Sequence, residues 1–481
     1  MSNLQKTETS FHCQYRDFDL SFNDTIVAIA TPPGKGGIGI IRISGKNALV
    51  IVQNIFIPVK NKHKKFKIES HRIYYGKIVD PIKKKITIDE VLLLPMIAPR
   101  SYTKEDVVEI HAHSGYAVLE KILNIILQQH ARIAEPGEFT KRAFLNGRLD
   151  LTQAEAVIDL INAETESARK IASCQLEGRL KDKLRHIQDN ILKSLAEIEA
   201  QIEFSDDQGE DYIEKKFWIE YIYEPLKNLE KSAYTGQILK DGIRIALAGK
   251  PNVGKSSIMN RLLCQERSIV TPFPGTTRDH IEESFNIQGI KVRLIDTAGI
   301  RDSRNPVEII GIQKTREKIQ NADLILMVYD ISRKPGPEDF AIFKSIREKK
   351  KILVFNKKDL IENEQVEEMP EEWRKEEKVI ISALKDKSMD ALRAQIIRSV
   401  ITEGFNDESK EIIVSNVRQK QNIENASKAI ENAMRCYDSN GPMEIVAFEF
   451  QEAKKEIDQA LGVDISEDIL DRVFKNFCIG K

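Results

Sequence analysis

Hydrophobic positions along the chain change period three times. Leu180, Leu184, Ile187, Ile191, Leu195, Ile198 and Ile202 recur every three or four residues, which lays one apolar stripe along a long helix. Ile423, Ala426, Ala429, Ile430 and Ala433 draw a second helical stripe beyond about residue 411. Elsewhere the apolar runs are short. Thr25–Ala30, Gly39–Ile43 and Glu90–Leu94 read as strands among turn signals, as do Ile243–Ala248, the run from Val292 and the run from Ile352. The chain is therefore multidomain α/β. Mixed strands and turns give way to helices near residue 150, a strand–helix segment follows, and helices return. The strand–helix segment reads as inserted into a helical domain whose two halves flank it, a tolerated arrangement where chain ends lie close together.

Composition narrows the class without naming a function. At 481 residues the chain is long enough for two to four domains, and 41% apolar with 31% charged residues is an ordinary water-facing profile. The 73 basic and 74 acidic side chains leave a formal charge of −1, so any nucleic-acid contact must be a local patch. Cys13, Cys174, Cys264, Cys436 and Cys478 are scattered without a Cys-x-x-Cys pair, which disfavours zinc and disulfide frameworks. Without a secretory apolar region, a long apolar span or a basic leader, the expected location is cytoplasmic with no membrane association.

The inserted segment carries chemistry. Gly249-Lys-Pro-Asn-Val-Gly-Lys-Ser256 is the Gly-x-x-x-x-Gly-Lys-Ser pattern that wraps phosphates, between an apolar strand and a helix from Ser257 to Leu263. The helix N-terminus offers unpaired N–H groups and the positive end of its dipole. Lys255 should reach the β- and γ-phosphates, and Ser256 should ligate Mg²⁺. Asn252, Val253, Gly254 and Ser257 complete the loop. Downstream, Asp296-Thr297-Ala298-Gly299 ends a strand where an aspartate can bind Mg²⁺ through water and the Gly299 amide can meet the γ-phosphate. Asn356-Lys357-Lys358-Asp359 ends another and resembles the guanine-recognition motif of GTPases. A carboxylate at Asp359 accepts from the two adjacent donors on guanine, a pair that adenine lacks. Ser382-Ala383-Leu384 resembles the last guanine-contacting turn. Four motifs in this order indicate a GTPase with a doubly wound sheet of the Ras-like type.

Its hydrolytic apparatus is not of the Ras type. The position after Asp-x-x-Gly is Ile300, which cannot orient water as a glutamine does. Asn252 offers an oxygen where a monovalent cation could rest beside the phosphates, and Glu308 could orient the attacking water. Thr271-Pro272-Phe273-Pro274-Gly275-Thr276-Thr277 is an effector-loop segment rich in carbonyls, suited to a hard cation such as K⁺, with Thr277 as the second Mg²⁺ ligand.

Segments outside the GTPase are more specific. Asp24 to Gly34 (Asp-Thr-Ile-Val-Ala-Ile-Ala-Thr-Pro-Pro-Gly), Gly39 to Gly45, Ser101-Tyr-Thr-Lys-Glu-Asp106, Glu135 to Asn146 and the terminal Cys478-Ile-Gly-Lys481 together resemble the tRNA-modifying GTPase family MnmE (TrmE), within the TrmE-Era-EngA-like potassium-activated GTPases. The resemblance runs from about Asp24 to Lys481. It implies an N-terminal extension over 1–23, an α+β folate-binding and dimerisation domain over 24–146, helical domain segments over 147–241 and 403–481, and the GTPase domain over 242–402. It implies folate contacts at Arg42, Glu109, Arg148 and Lys481, Arg148 standing where lysine is common. The ligand would be 5,10-methylenetetrahydrofolate or 5-formyltetrahydrofolate.

The same resemblance implies a homodimer acting with an FAD-containing MnmG-type partner on tRNA. The complex would add a (carboxymethyl)aminomethyl group to the 5-position of the wobble uridine, with Cys478 as candidate nucleophile. K⁺ would be held by Asn252, Thr271, Phe273 and Thr276, and Glu308 would orient water, followed by Ile309 where a charged residue is usual. The competing expectation is a GTP-switched RNA-binding or ribosome-assembly factor. The GTPase segment alone supports it, and the folate-type motifs and the terminus speak against it.

Overall fold

The computed structural model describes residues 24–32, 34–59, 67–82, 86–203, 214–265, 283–295, 321–361, 369–400 and 412–481. The chain divides into two compact units, Met1–Ile158 with Lys455–Lys481, and Asp159–Lys454.

The first unit is built on a seven-stranded sheet. Its strands are β1 (Thr25–Ile29), β2 (Ile38–Ser44), β3 (Phe56–Pro58), β4 (Tyr74–Val79), β5 (Thr87–Met96), β6 (Val107–His113) and β7 (Ala131–Ile133), in the order β3-β4-β5-β6-β2-β1-β7. Every pair is antiparallel except β1 with β7. Alternate residues point to one face, so Ile41, Ile43, Val108, Ile110 and Leu93 form a core there. Helices α1 (Ala48–Ile55) and α2 (Tyr116–Leu127) cover it with Ile51, Val52 and Ile55, and with Ile122, Ile125 and Ile126. The approach of α2 is close: a Cβ on Gly39 would lie 2.6 Å from Leu119.

Helices α3 (Glu138–Leu145) and α4 (Leu151–Asn162) follow. Phe144, Leu151 and Ala154 share a second core with Leu470, Phe474 and Phe477 of the C-terminal segment. Gly137, at φ 69°, caps α3, and a Cβ there would meet the Phe474 carbonyl at 2.8 Å. The end of the chain is thus part of the N-terminal unit.

Arg142 of α3 is fully buried and holds three carboxylates. Its Nη2 reaches Asp24 Oδ1 at 2.8 Å and Glu138 Oε1 at 2.9 Å, and its Nη1 reaches Glu105 Oε1 at 3.1 Å. Arg132 adds a second cation on Asp24 and Glu138. Burial pushes the Asp24 and Glu138 carboxyls up, and the arginine hydrogen bonds and charges more than offset this, holding both below their ordinary values.

In the second unit, α5 (Glu166–Leu176), capped by Thr165 Oγ1, leads into α6 (Arg179–Glu203). Along α6, Leu180, Leu184, Ile187, Ile191, Leu195 and Ile198 are all buried, as the stripe in the sequence requires. A helix α7 (Lys215–Trp218), a π-helical turn (Ile219–Tyr223) and α8 (Glu224–Asp241) continue the bundle. Trp218 is buried against Tyr437 and Phe450, ring centroids 5.3 and 4.8 Å away.

The inserted segment forms a six-stranded sheet from β8 (Ile243–Ala248), β9 (Glu283–Ile287), β10 (Ile290–Ile295), β11 (Leu324–Asp330), β12 (Lys351–Asn356) and β13 (Lys378–Ile380). The order is β13-β12-β11-β8-β10-β9, parallel throughout except β9 with β10. Its central strands β11 and β12 are wholly buried, the continuous apolar pattern of a sheet covered on both faces. Helices α9 (Lys255–Gln265) and α11 (Asp386–Val400) share one core with Ile245, Leu247, Leu326 and Val354. Between them in sequence, α10 (Pro337–Ser345) joins Ala246, Met327, Leu353 and Trp373 on the other face. This is the doubly wound arrangement expected from the motifs. Helices α12 (Val417–Asp438) and α13 (Met443–Leu461) return to the bundle, with Ile423, Ala426, Ala429, Ile430 and Ala433 buried. Among the described residues no helix is long and apolar enough to cross a membrane.

Replacing Arg142 by methionine leaves the Glu138 and Glu105 carboxylates without their central cation, so the first unit loses about 3 kcal/mol or more. Denaturant unfolding at neutral pH measures the loss. Because the Asp24 and Glu138 carboxyl values are depressed in the folded state, the wild type should lose the stabilisation these two groups contribute as pH falls through and below the ordinary carboxylate range. An unchanged midpoint at neutral pH would show the cluster to be energetically idle.

Candidate functional site

The phosphate loop leaves β8 at Ala248 and enters α9 at Lys255. The two glycines of the pattern are required for steric reasons here. Gly249 has φ 146° and a Cβ there would lie 2.3 Å from the Val328 carbonyl; Gly254 has φ 101° and its Cβ would lie 2.2 Å from Asn356 Nδ2. Asn252 takes the left-handed conformation at φ 63°. Lys255 Nζ donates to the carbonyls of Gly249 at 2.7 Å and Lys250 at 2.6 Å, an arrangement that caps the loop and points its ammonium across it. Burial pushes the Lys255 ammonium below its ordinary value. Val253 is buried, whereas Ser256 and Ser257 are exposed on the first turn of α9, where hydroxyls can meet a cation or phosphate.

The guanine-type motif lies at the end of β12 and is physically joined to the loop. Asn356 is 2% exposed. Its Nδ2 donates to the Val253 carbonyl at 2.9 Å, and its Oδ1 accepts from the Ala383 amide at 3.0 Å. One side chain therefore ties the phosphate loop to the Ser382-Ala383-Leu384 turn. Lys357 is left-handed at φ 68° and its ammonium pairs with Asp330 Oδ2 at 2.6 Å. Lys358 N donates to the Ile381 carbonyl at 3.1 Å. The Ser382 hydroxyl donates to Asp359 Oδ1, and this bond holds the solvent-facing Asp359 carboxyl below its ordinary value. The bond fixes one carboxylate oxygen of Asp359 against the Ser382–Leu384 turn. The Leu384 carbonyl accepts from Arg261 at 3.2 Å.

Thr271, Pro272, Phe273, Pro274, Gly275, Thr276, Thr277, Asp296, Thr297, Ala298, Gly299, Ile300, Glu308 and Ile309 lie outside the described residues.

A second cluster forms in the first unit. Arg42 and Glu109 are direct partners in the β2–β6 register. Arg42 Nε and Nη2 both meet Glu109 Oε1, at 2.9 and 2.8 Å, and Nη1 donates to the Gly480 carbonyl at 3.2 Å. Glu109 Oε2 lies 3.3 Å from His111 Nε2. The Arg42 guanidinium faces the rings of Tyr102 and Phe139 at 5.5 and 5.6 Å. Arg148 stacks on Tyr102 at 4.6 Å and donates to its carbonyl at 2.9 Å. Lys481 is half-buried here. Burial and the Arg42 charge lower its ammonium value, against the opposing pull of Glu109 and Cys478. Gly480, at φ 96°, lets the tail pass against β1, where a Cβ would lie 2.8 Å from the Ile29 carbonyl. Cys478 is exposed.

Arg42, Glu109 and Lys481, expected together, are together, and Arg148 joins them through Tyr102. Sequence reasoning assigned no role to Tyr102, Phe139 or His111. The first two lie inside the Ser101–Asp106 and Glu135–Asn146 segments, and an aromatic beside clustered charges was the signal.

A doubly wound sheet with a phosphate loop at the end of β8 and an Asn-Lys-x-Asp element at the end of β12 defines a P-loop GTPase. Related proteins give its family. The model of the GTP-binding protein TrmE N-terminus matches residues 25–148, and that of the MnmE helical domain matches 151–478. The tRNA modification GTPase MnmE of Acetivibrio thermocellus is 43% identical over 461 residues, 95% of this chain and 99% of that protein. That of Carboxydothermus hydrogenoformans is 42% identical over the same shares. A solved structure of Aquifex aeolicus Era matches 39% of this chain and 66% of its own at 28% identity and a TM-score of 0.27. The chain belongs to the MnmE (TrmE) family of tRNA modification GTPases.

Asn356→Ala removes two buried hydrogen bonds and leaves a backbone carbonyl and amide unsatisfied, each worth about 1–3 kcal/mol. GDP affinity, measured by calorimetry, should fall at least about tenfold. Undiminished GDP binding would show that the loop and the Ser382–Leu384 turn hold their places without the clamp.

Proposed function

We propose that this protein hydrolyses GTP in a Mg²⁺- and K⁺-dependent reaction and uses a one-carbon tetrahydrofolate to modify tRNA. Acting as a homodimer with an FAD-containing MnmG-type partner, it adds a (carboxymethyl)aminomethyl group to the 5-position of the wobble uridine. The observation that carries this reading is the cluster of Arg42, Glu109, Arg148 and Lys481 about Tyr102, drawn from both ends of the chain. A reduced folate presents a flat ring with adjacent donors and an anionic glutamyl tail. A carboxylate, an aromatic face and three cations are the matching chemistry. The ligand is 5,10-methylenetetrahydrofolate or 5-formyltetrahydrofolate, the source of the carbon; glycine or ammonium supplies the amine. Cys478, exposed at the same terminus, is the candidate nucleophile toward the uracil ring.

In the nucleotide site, Lys255 and the loop amides hold the phosphates, Ser256 and Thr277 hold Mg²⁺, and Asp359 reads guanine with Asn356 and the Ser382–Leu384 turn. The left-handed backbone of Asn252 turns this residue toward solvent at the mouth of the loop, a suitable place for a K⁺ ligand with Thr271, Phe273 and Thr276. Such a cation supplies the positive charge that an arginine finger supplies elsewhere. Glu308 orients the attacking water in place of the glutamine that Ile300 replaces.

Steady-state hydrolysis should be about tenfold or more faster in K⁺ than in Na⁺ at equal ionic strength, given what a finger charge contributes to the transition state. Asn252→Ala should remove most of that difference, and Glu308→Ala should lower kcat in either salt with GTP affinity kept. Equal rates in the two salts would dismiss the cation.

Deleting Lys481, or changing Arg42 to alanine, should abolish calorimetric binding of a reduced folate while GTP turnover stays within about twofold, since neither residue belongs to the nucleotide site. Equal folate binding by all three proteins would remove the folate assignment and favour a GTP-switched RNA-binding role.

A further inference from the structure

Asp339 belongs to none of the nucleotide motifs, yet it touches the phosphate loop. It is the third residue of α10, and its side chain is 5% exposed. Oδ2 accepts from the Gly336 amide at 2.9 Å, which caps the helix, and the same oxygen lies 2.7 Å from Lys250 Nζ. Lys250 is the second residue of the loop. Its carbonyl is one of the two that receive the Lys255 ammonium, at 2.6 Å. The line is continuous: Asp339 carboxylate to Lys250 ammonium, then Lys250 carbonyl to Lys255 ammonium. Glycine at 336 leaves room for it, since a Cβ there would stand 3.1 Å from Lys250 Nζ. Glu338, the next acid along, is 3.9 Å from Lys250 and largely exposed, so Asp339 is the principal partner.

An ammonium on a phosphate-binding loop is drawn to whichever anion is near. The buried carboxylate of Asp339 holds this one at the start of α10. It also anchors the peptide on which Lys255 rests. The geometry points to Asp339 as a positioning residue for GTP hydrolysis: through Lys250 it fixes the first half of the phosphate loop so that Lys255 and the loop amides face the β- and γ-phosphates. The inference rests on Lys255 being the phosphate-binding lysine.

The test uses the full chain with D339N, D339E, K250Q, the D339N/K250Q double variant and K255A. Asparagine at 339 keeps an oxygen for the Gly336 amide, so the cap survives while the charge is lost. Binding of GMP and GDP and the kcat and KM of GTP hydrolysis are measured for each. D339N and K250Q should each weaken GDP about tenfold, the scale of a lost charge-assisted hydrogen bond, and leave GMP unchanged because it has no β-phosphate. The double variant should be no worse than either single one, since both break the same link, and D339E should recover part of the loss. Unchanged GDP binding in K250Q, an additive double variant, or an equal loss of GMP would overturn the proposal. If D339N fails to fold, K250Q decides. Should K255A bind GDP as well as wild type, the phosphate-loop reading itself has failed, a result separate from the behaviour of Asp339.

Discussion

Arg42 joins the two ends of the chain within the first unit. From β2 its guanidinium pairs with Glu109 on the neighbouring strand β6 and reaches the carbonyl of Gly480, a partner 438 residues away in the chain. The contact is possible only because Phe474 and Phe477 are packed with Phe144 and Leu151, and because Gly137 leaves room for the tail. The unit therefore cannot be completed by contiguous residues. Everything from Asp159 to Lys454 must form a body with its own cores, and it does. A terminal lysine is ordinarily a frayed end. Here it is half-buried in a charged cluster, which is a structural demand no isolated N-terminal fragment could meet.

The second unit has its own such constraint in Asn356. A buried amide offers a donor and an acceptor in fixed geometry, and both are spent on backbone. Val253 and Ala383 are thereby held to the end of β12, so a ligand meeting Asp359 and the Ser382–Leu384 turn also finds the phosphate loop at a set distance. Gly254 follows from the same constraint, because a side chain at that position would collide with the Asn356 amide. The sequence pattern of the loop and that of the strand end are thus one steric solution.

Much of this was legible in the residues. The stripe on α6 shows in the sequence because its apolar residues keep helical spacing over many turns, and β8 and β12 because buried parallel strands are almost wholly apolar. The phosphate loop and the Asn-Lys-x-Asp element declare themselves by local spacing. Contacts between distant segments were not legible. Nothing in Glu135–Asn146 says that Arg142 will be fully buried among Asp24, Glu105 and Glu138, because the pairing is made by the fold and not by spacing. The link from Asp339 to Lys250 is hidden for the same reason: an acid in a capping position looks complete with its helix. The π-helical turn at Ile219–Tyr223 has no sequence signal beyond an ordinary amphipathic stretch.

Lys255 and Lys481 share one physical condition. Each ammonium is partly buried and lies below its ordinary value, chiefly through loss of solvation. Lys255 is met by two carbonyls, which offer dipoles and no counter-charge. Lys481 is repelled by Arg42 and only partly offset by Glu109 and Cys478. A cation kept in this condition costs the folded protein stability, and the cost is recovered when an anion arrives. The ligand need strip less water from each lysine, because folding has already removed part of it. The phosphate loop is thereby suited to an anionic phosphate chain, and the reduced folate proposed for the other cluster would bring an anionic tail to Lys481. Affinity in each should fall as pH rises through the lowered lysine value, since the ammonium that gives the site its charge is lost first where it is buried most.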